Sequence, residues 1–433
     1  MSQFNRRNFL QTSAVAAAAT TLAANTARAD VNSKIRAAVI GVNGRGRTHM
    51  EGFEHTPGVE VAVLCDPDEK VLAERKAEFE KHFGHSVDTE TDLRRVYDRN
   101  DIDVVGIATP NHWHTLAAIW ACQAGKDVYV EKPGSHNLFE GRKLIEAAKK
   151  YNRIVQHGVQ LRSNPVLREA VQQLHDGLIG DVYLSRALIF KTRPSIGHVP
   201  DETPPSSLNW DLWQGPAAER PFSPRYVHYN WHWHWDYGNG DVGNQGVHET
   251  DMALWGAGVG LPSEIVALGG KFLWDDDKET PETLTCSYLY PEQKKMIEVA
   301  VRPWHSNEEG GVRIGNLFYG SEGYMTIEGY DSYKTFLGSK REPGPAGSFD
   351  GNTEHEHFAN FIDAVRSRDV SKLHGPPETA HTSSGLAHLG NIAYRLGRKL
   401  HFDPTTERFK NDAEADAMLT RKYRAGYEVP EVV

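Results

Sequence analysis

The stretch "IRAAVIGVNGRG", residues 35–46, constrains the fold most, because an apolar run passes directly into a glycine-rich turn. A helical segment follows, then a second apolar run that ends at Asp66, and this order is typical of a βαβ unit. Gly41 permits a tight turn, while Gly44 and Gly46 permit close approach of the backbone to a ligand. The next helix offers unpaired N–H groups to a pyrophosphate. We therefore predict a dinucleotide site that includes Gly41, Asn43, Gly44, Arg45 and Gly46.

Two polar residues refine this prediction. Asn43 stands where the motif usually has its second glycine, and asparagine tolerates positive φ better than most residues. Asp66 falls at the end of the second strand, where a carboxylate can accept hydrogen bonds from both hydroxyls of the adenosine ribose. A carboxylate there would also repel a 2′-phosphate. We therefore expect the cofactor to be NAD rather than NADP.

The strand and helix pattern continues to about residue 160 and predicts a doubly wound parallel sheet, the Rossmann architecture. Ligands bind beyond the carboxyl ends of such strands, where "TPNHWH" and "EKP" both fall. Later apolar runs separated by Gly, Pro and Asp indicate a largely antiparallel, open sheet. Those runs are 264–272, 283–289, 296–301, 311–319 and 323–327.

The prediction is thus an α/β protein with an NAD-binding domain over 30–160 and an α+β domain over 161–433 for substrate binding and oligomerisation. Helices near 353–368 and 378–398 should pack on the domain interface, and residues 338–352 should form a loop. The helix beginning "EHEHF" is amphipathic, and we expect His355 and His357 to be surface or capping residues.

The N-terminus reads as an export signal. Arg6 and Arg7 precede an apolar run that is rich in Ala and Thr, too short for a stable membrane span, and followed by Ala27-Arg28-Ala29. The paired arginines resemble a twin-arginine (Tat) signal, whose pathway exports folded proteins. We expect cleavage after Ala29, so that 1–29 is removed, no permanent membrane anchor remains, and the Tat machinery delivers the protein to the periplasm or beyond.

The charge and the aromatic content of the chain limit the classes of ligand that we expect it to bind. The chain has 48 Lys+Arg against 58 Asp+Glu, without blocks of like charge, and this does not favour nucleic acid as a partner. Its 10 tryptophans and 16 tyrosines suit ligands that are half apolar and half hydroxyl. A small carbohydrate is the expected partner.

The stretch 229–251, "YNWHWHWDYGNGDVGNQGVHETD", is dense in aromatic and ionisable residues. Its alternation of Trp with His predicts an extended segment, with indoles on one face and polar groups on the other. The predicted substrate residues are Trp231, His232, Trp233, His234, Trp235, Tyr237 and Asp241. A metal site at His232, His234 and Asp236 is the alternative, although the cluster has no cysteine and we expect no metal.

Three motifs, "GVNGRG", "ATPNHWH" and "VEKPGSHNLFEGRKLIEAAKK", together resemble the Gfo/Idh/MocA family of glucose-fructose oxidoreductases and inositol dehydrogenases. "WDYGNGDVGNQGVHETDMALW" and "GLAHLGNIAYRLGRKLHFDP" are similar to its secreted bacterial branch. The resemblance implies that Lys132 lies near the nicotinamide and the reacting hydroxyl, that Glu131 contacts the nicotinamide ribose, and that a cis bond precedes Pro133. It also implies that the nicotinamide side is lined by Thr109, Pro110, Asn111 and His114, although His114 could equally cap a helix.

The family carries an Asp and a His four residues apart, and the matching positions here are Asn244 and His248. His248 is therefore the expected general base for the substrate hydroxyl. Asn244 departs from the family, because an amide cannot act as a carboxylate. Simple dehydrogenase behaviour then requires Asp241 or Asp251 to supply the missing negative charge.

The resemblance and the export signal together predict an exported NAD-dependent oxidoreductase that acts on a carbohydrate hydroxyl with tightly bound cofactor. Since free NAD is scarce outside the cytoplasm, an NAD-recycling glycoside hydrolase or lyase is the first alternative. A non-catalytic sugar-binding protein is the second. The open sheet face is expected to support a homo-oligomer.

Overall fold

The computed structural model describes residues 34–433, and the predicted signal segment 1–29 lies outside the described residues. A six-stranded parallel sheet occupies the first part of the fold, in the order β3-β2-β1-β4-β5-β6. Its strands are β1 (Ile35–Ile40), β2 (Val59–Cys65), β3 (Asp88–Glu90), β4 (Val104–Ile107), β5 (Asp127–Glu131) and β6 (Val155–Gly158). The predicted doubly wound sheet is confirmed.

Alternate residues of β1 enter two different cores, as the period of two in a strand requires. Ala37 and Val39 pack in a core with apolar residues of the first two helices, while Ala38 and Ile40 pack in the core on the opposite face. The helices of this half of the chain are α1 (Gly46–Glu54), α2 (Glu69–Phe83), α3 (Leu93–Tyr97), α4 (Asn111–Gln123) and α5 (Leu138–Lys150). With both faces covered, the sheet leaves its carboxyl edge as the place for a ligand.

A ten-stranded sheet forms the second layer, and its only parallel pair is β7 with β10. Its strands are β7 (Val182–Phe190), β8 (Glu264–Gly270), β9 (Thr283–Tyr290), β10 (Lys295–Arg302), β11 (Ile314–Gly320), β12 (Gly323–Glu328), β13 (Ser332–Leu337), β14 (Glu342–Ser348), β15 (Leu400–Asp403) and β16 (Arg408–Phe409). The largely antiparallel second sheet is therefore also confirmed.

The prediction of a loop over 338–352 is wrong, because 342–348 form the edge strand β14. The proline and glycine content suggested a loop, yet an edge strand pairs on one side only and tolerates proline. Gly344 faces the Thr335 side chain so closely that an added Cβ would lie 2.6 Å from Thr335 Oγ1. The glycine is thus a packing requirement of the strand pair.

The prediction of an extended segment through 231–235 is also wrong. Asn230–Trp233 form a 3₁₀ helix, and successive turns follow it. Backbone bonds from His234 N to Trp231 O (3.2 Å) and from Tyr237 N to His234 O (3.0 Å) satisfy the chain locally. The three indoles therefore point into different surroundings, and they do not share one face.

The remaining helices follow β6 in the chain. They are α6 (Pro165–His175), α7 (Trp210–Gln214), α8 (Gly240–Asn244), α9 (Gly246–Ala257), α10 (Thr353–Ser367), α11 (Pro377–Leu396) and α12 (Ala413–Ala417). Phe358 of α10 stacks on Tyr129 of β5 with ring centroids 4.2 Å apart, and Ala380 of α11 packs in a core of the first sheet. This confirms that the two late helices return to the domain interface. Within residues 34–433, no helix is long and apolar enough to cross a membrane.

Candidate active site

The turn after β1 is built so that only glycine fits at two positions. Gly41 has φ +83°, and a Cβ added there would lie 2.7 Å from Thr109 N. A Cβ on Gly46 would lie 2.1 Å from Gly41 O, so α1 can begin here only without a side chain. Gly44 has open space around its Cβ position and lines the cleft described below. A ligand can therefore approach the backbone at Gly44.

Asp66 lies directly beyond the carboxyl end of β2, and its side chain is buried. One carboxylate oxygen accepts from Val42 N at 3.0 Å, and the other accepts from Asp68 N at 3.1 Å. Burial raises the pKa of Asp66 to about 6, against the lowering effect of these two N–H donors. The carboxylate is thus held on the glycine-rich turn and faces the same cleft.

A four-residue polar network closes the other end of the turn. Arg45 Nε donates to Glu131 Oε1 at 2.7 Å, and Arg45 Nη2 donates to Glu354 Oε2 at 2.7 Å. His49 Nε2 lies 3.2 Å from the same oxygen of Glu131. Although burial alone raises the pKa of Glu131, the Arg45 charge and the His49 contact hold it well below its usual range. Glu131 is therefore a fixed anion beside the cleft.

A cleft of about 340 Å³ lies at the carboxyl edge of the first sheet, where the strand order changes direction between β1 and β4. Of the predicted cofactor residues, all but Gly46 line it: Gly41, Asn43, Gly44, Arg45, Asp66, Thr109, Pro110, Asn111, His114, Glu131 and Lys132. The glycine cradle, the buried carboxylate at the end of β2 and the helix start at Gly46 together fit a dinucleotide. NAD is the cofactor that this set of groups suits.

Lys132 directly follows β5 and lines the cleft. Its Nζ donates to the main-chain oxygen of Asn244 at 2.7 Å and lies 3.4 Å from Asn244 Oδ1. Burial lowers the pKa of Lys132 to about 8, against the raising effect of the Glu131 charge. The peptide bond between Lys132 and Pro133 is cis, as the family resemblance implies. Lys132 is thus protonated at neutral pH, although only by a small margin.

His248 lies in the first turn of α9, next to this lysine. Burial, followed by the charge of Lys132, lowers its pKa well below the ordinary value. Its ring centroid is 5.5 Å from that of Tyr330, and its Nδ1 has no hydrogen-bond partner among the described residues. A neutral imidazole in this position can accept a proton.

The two carboxylates that could replace the family's missing aspartate are both held by arginines. Asp241 pairs with Arg193 at 2.7 Å, and Asp251 pairs with Arg162 at 2.7 Å. The buried carboxylate of Glu249, which the sequence did not single out, instead lies close enough to influence the pKa of Lys132. Burial raises the pKa of Glu249 to about 7.

His114 ties the two predicted loops together. Its Nδ1 lies 2.6 Å from Pro133 O, and its Nε2 lies 2.7 Å from Thr109 O. The residue preceding α4 is Pro110, and no side chain caps the helix, so His114 does not act as the cap. It positions the "EKP" turn against the strand end of β4.

The predicted substrate residues divide into two groups. Trp231 and His232 line the cleft, and their rings stack with centroids 3.6 Å apart. The residues away from the cleft wall are Trp233, His234, Trp235, Tyr237 and Asp241. Tyr237 is wholly buried among Trp213 and Tyr226, and Trp233 lies under the cations of Arg193 and Lys278. Burial of these rings shows that much of the aromatic stretch is core.

The cleft also has a wall of which sequence reasoning indicated only Tyr229, the first residue of the aromatic stretch. It consists of Leu212, Trp213, His228 and Tyr229. Trp213 reaches the site because Gly215 allows the chain to pass Trp113, where an added Cβ would lie 2.1 Å from the indole. In the sequence, the segment "WDLWQG" shows only two tryptophans before a glycine. This pattern is too weak to predict a wall of the cleft.

The alternative of a metal site at His232, His234 and Asp236 has no support among residues 34–433. No group of three or more His, Cys, Asp or Glu side chains within residues 34–433 is placed to hold a metal ion.

The expectation that His357 lies at the surface is wrong. It is fully buried and bonds to Ser163 Oγ at 2.6 Å, because it lies on the face of α10 that packs against the first sheet.

Three family models match the chain. An oxidoreductase family model with an NAD-binding Rossmann fold matches residues 35–159, and the C-terminal α/β domain of that oxidoreductase family matches 193–256 and 350–429. A model for the twin-arginine translocation signal matches residues 3–23. The Rossmann fold and the export signal expected from the sequence are thus both represented.

Among curated relatives, a glycosyl hydrolase family 109 protein of Saccharopolyspora erythraea is 30% identical over 161 residues, which are 35% of this chain and 34% of that protein. A levoglucosan dehydrogenase of Pseudarthrobacter phenanthrenivorans is 28% identical over 221 residues, half of each chain. These matches therefore span between a third and a half of the relatives' lengths.

Among solved structures, the WlbA dehydrogenase of Bordetella pertussis, in complex with NADH and UDP-GlcNAcA, has a TM-score of 0.65 at 18% identity. The match covers 86% of this chain and 99% of that one. It extends the shared fold over both domains. The chain is a Tat-exported member of the Gfo/Idh/MocA oxidoreductase family with an NAD-binding Rossmann domain.

Proposed function

We propose that this protein oxidises a carbohydrate hydroxyl outside the cytoplasm, with NAD held in the cleft between its domains. The observation that supports the proposal is the position of Lys132, which lines that cleft at the end of β5, near enough to His248 of α9 for the Lys132 charge to lower the imidazole pKa, although His248 itself is not a lining residue. Each supplies a different group that removal of hydride from an alcohol carbon needs. His248 is neutral, and Lys132 is charged at neutral pH.

Bound NAD supplies the acceptor for the hydride. His248 takes the hydroxyl proton, so that the oxygen can form a carbonyl as the hydride departs. The Lys132 ammonium stabilises the negative charge that develops on that oxygen. Asn244 holds this ammonium through its main-chain oxygen and so fixes its direction. The amide side chain adds no charge, and the lysine pKa stays low.

The carbohydrate class is supported by the cleft wall. Tyr229 is half exposed, and Trp231 and His232 stack beside it, so the wall offers flat aromatic faces with polar edges. Such surfaces suit the mixed apolar and hydroxylated faces of a sugar. The names of the relatives, a glycosyl hydrolase and a levoglucosan dehydrogenase, also support a carbohydrate substrate.

A second candidate is cleavage of a glycoside with NAD recycled in each turnover. Oxidation of the hydroxyl acidifies the neighbouring C–H, so that loss of this proton and of the aglycone, which leaves protonated as an alcohol, gives an unsaturated ketone. Water adds to it in a hydrolase but not in a lyase, and return of the hydride to the carbonyl regenerates NAD. Asn244 favours this candidate, because the family's usual carboxylate is absent at the position beside Lys132. The glycosyl hydrolase relative points in the same direction.

A panel experiment separates these candidates. The exported protein is denatured to measure released dinucleotide, and native protein is mixed with free sugars and with aryl glycosides while NADH absorbance and aglycone release are followed. Persistent NADH supports oxidation, and aglycone release with only transient NADH supports recycling. Sugar binding with neither signal would instead identify a non-catalytic sugar-binding protein.

A further inference from the structure

A second cavity, of about 290 Å³, lies behind the aromatic stretch and shares no lining residue with the cofactor cleft. Its wall combines the loop before α5, the turn at Trp235, one side of α11 and the chain after α12. The residues that matter for its chemistry are His136, Trp235, His388, Asn391, Arg395 and Arg421. None of these has a role in the site described above.

Arg395 is an exposed cation at the rim of this cavity, and it lies within electrostatic reach of Asp236 and Glu279. It makes no hydrogen bond or ion pair with another described residue, and its guanidinium carbon lies 5.1 Å from the centroid of Trp235. Arg421, in contrast, pairs with Glu140 at 3.1 Å. The acidic Asp236 on the same wall pairs with Arg220 at 3.1 Å. Asp236 and Glu279 share Arg220 and also lie within electrostatic reach of Arg395. Arg395 therefore keeps a guanidinium that has no hydrogen-bond partner and can donate to a ligand.

The inner wall is polar but neutral. His136 Nε2, His388 Nδ1 and Asn391 Oδ1 are buried atoms with no hydrogen-bond partner among residues 34–433. Burial lowers the pKa of His388 to about 3 and that of His136 well below its ordinary value, so both imidazoles are uncharged at neutral pH. Uncharged nitrogens and an amide oxygen match hydroxyl groups better than a second anionic group.

We propose that this cavity binds a small monocarboxylate that carries hydroxyl groups, such as a sugar acid. Arg395 pairs with the carboxylate at the outer end, supported from below by the Trp235 ring. The hydroxyls exchange hydrogen bonds with His136, His388 and Asn391. A phosphate fits less well, because it brings about two negative charges, and the cavity offers one cation without a hydrogen-bond partner, with Asp236 and Glu279 nearby.

Titration calorimetry on the mature, NAD-saturated protein tests this proposal. D-gluconate is the probe, with D-glucose and inorganic phosphate as comparisons. The variants are Arg395→Gln, Arg395→Lys and the control Arg408→Gln, which removes an exposed arginine that does not line the cavity. Gluconate should bind saturably, and glucose should bind more weakly.

Arg395→Gln should weaken gluconate on the order of 10- to 100-fold, the range for loss of a charge-assisted hydrogen bond. Arg395→Lys should restore part of the loss, and Arg408→Gln should bind as the wild type does. No saturable heat, or equal gluconate affinity in Arg395→Gln, would overturn the proposal. So would phosphate binding as tightly as gluconate. A change of oligomeric state in Arg395→Gln would show that a second copy of the chain occupies the cavity instead.

Discussion

The side-chain ammonium of Lys132 donates a hydrogen bond to the main-chain oxygen of Asn244 across 2.7 Å. This contact joins the end of β5 in the first domain to the end of α8 in the second. Because Lys132 is buried and Asn244 contributes no charge, the lysine keeps a low pKa in a place where a cation is needed. The low pKa of Lys132 and the need for its positive charge determine how activity should depend on pH.

The first prediction concerns pH. Burial lowers the pKa of Lys132 to about 8, so the ammonium is present below that pH and is lost as pH rises through about 8. Turnover should therefore fall across that range. His248 has a pKa well below its ordinary value and stays unprotonated, so little loss is expected between pH 7 and 6. The measurement is kcat against pH.

Glu249 provides the control for this profile, because burial raises its pKa to about 7 and it ionises nearby. In Glu249→Gln the alkaline loss of turnover should remain but move to lower pH, because the Glu249 charge raises the pKa of Lys132. A rate that rises through this range in either protein would contradict the role assigned to Lys132.

The second prediction concerns cofactor affinity. Asp66→Asn removes the carboxylate beyond β2 and should weaken NAD binding by about 1.5 to 3 kcal/mol, the value of a hydrogen bond to a charged group. Since the folded pKa of Asp66 is about 6, wild-type affinity should also fall as pH falls through about 6. Equilibrium binding of NAD to stripped protein measures both effects.

Asp275→Asn is the matched control, because the Asp275 side chain is fully exposed and lies away from the cleft. It should bind NAD as the wild type does. Equal affinity in Asp66→Asn and Asp275→Asn would remove Asp66 from the cofactor site.

The third prediction separates two aromatic residues of one stretch. Tyr229 is 52% exposed and lines the cleft, so Tyr229→Ala should raise KM for the sugar and leave stability nearly unchanged. Trp233 is 5% exposed, and Trp233→Ala should lower the free energy of unfolding by about 3 to 5 kcal/mol. Denaturant unfolding and steady-state kinetics on both variants decide the matter. The reverse pattern would place the sugar on Trp233.

The fourth prediction restores the family's carboxylate. In Asn244→Asp a negative charge replaces an amide oxygen 3.4 Å from Lys132 Nζ, which should raise the lysine pKa and move the alkaline loss of activity to higher pH. If the native enzyme recycles its cofactor, the variant should accumulate NADH persistently. An unchanged pH profile would show that the two side chains do not interact.

Much of the first domain could be predicted because its signals are local. Gly41 and Asp66 mark a turn and a strand end within one βαβ unit, and neither depends on distant residues. The Arg193 partner of Asp241 could not be foreseen, because 48 residues separate the two and the pair forms only in the folded chain. Glu249 is similar, since its burial depends on Tyr330, which comes from the turn between β12 and β13.

In the aromatic stretch, a local sequence pattern predicts the wrong local structure. The alternation of Trp and His has the period of a strand, yet local backbone bonds fold it into a 3₁₀ helix and turns. Periodicity therefore identified the right segment with the wrong geometry. It placed Trp235 with Trp231, although Trp231 lines the cofactor cleft and Trp235 lines the second cavity.

The most direct test of the central claim is rapid mixing of NAD-loaded protein with its best sugar, following NADH absorbance in the wild type and in His248→Asn. The account predicts prompt NADH formation in the wild type. In the variant, with NAD and sugar still bound, formation should be slower by about 10² to 10⁴-fold, the contribution of a positioned base. An equal rate of NADH formation in the two proteins would contradict the assignment of His248 as the base.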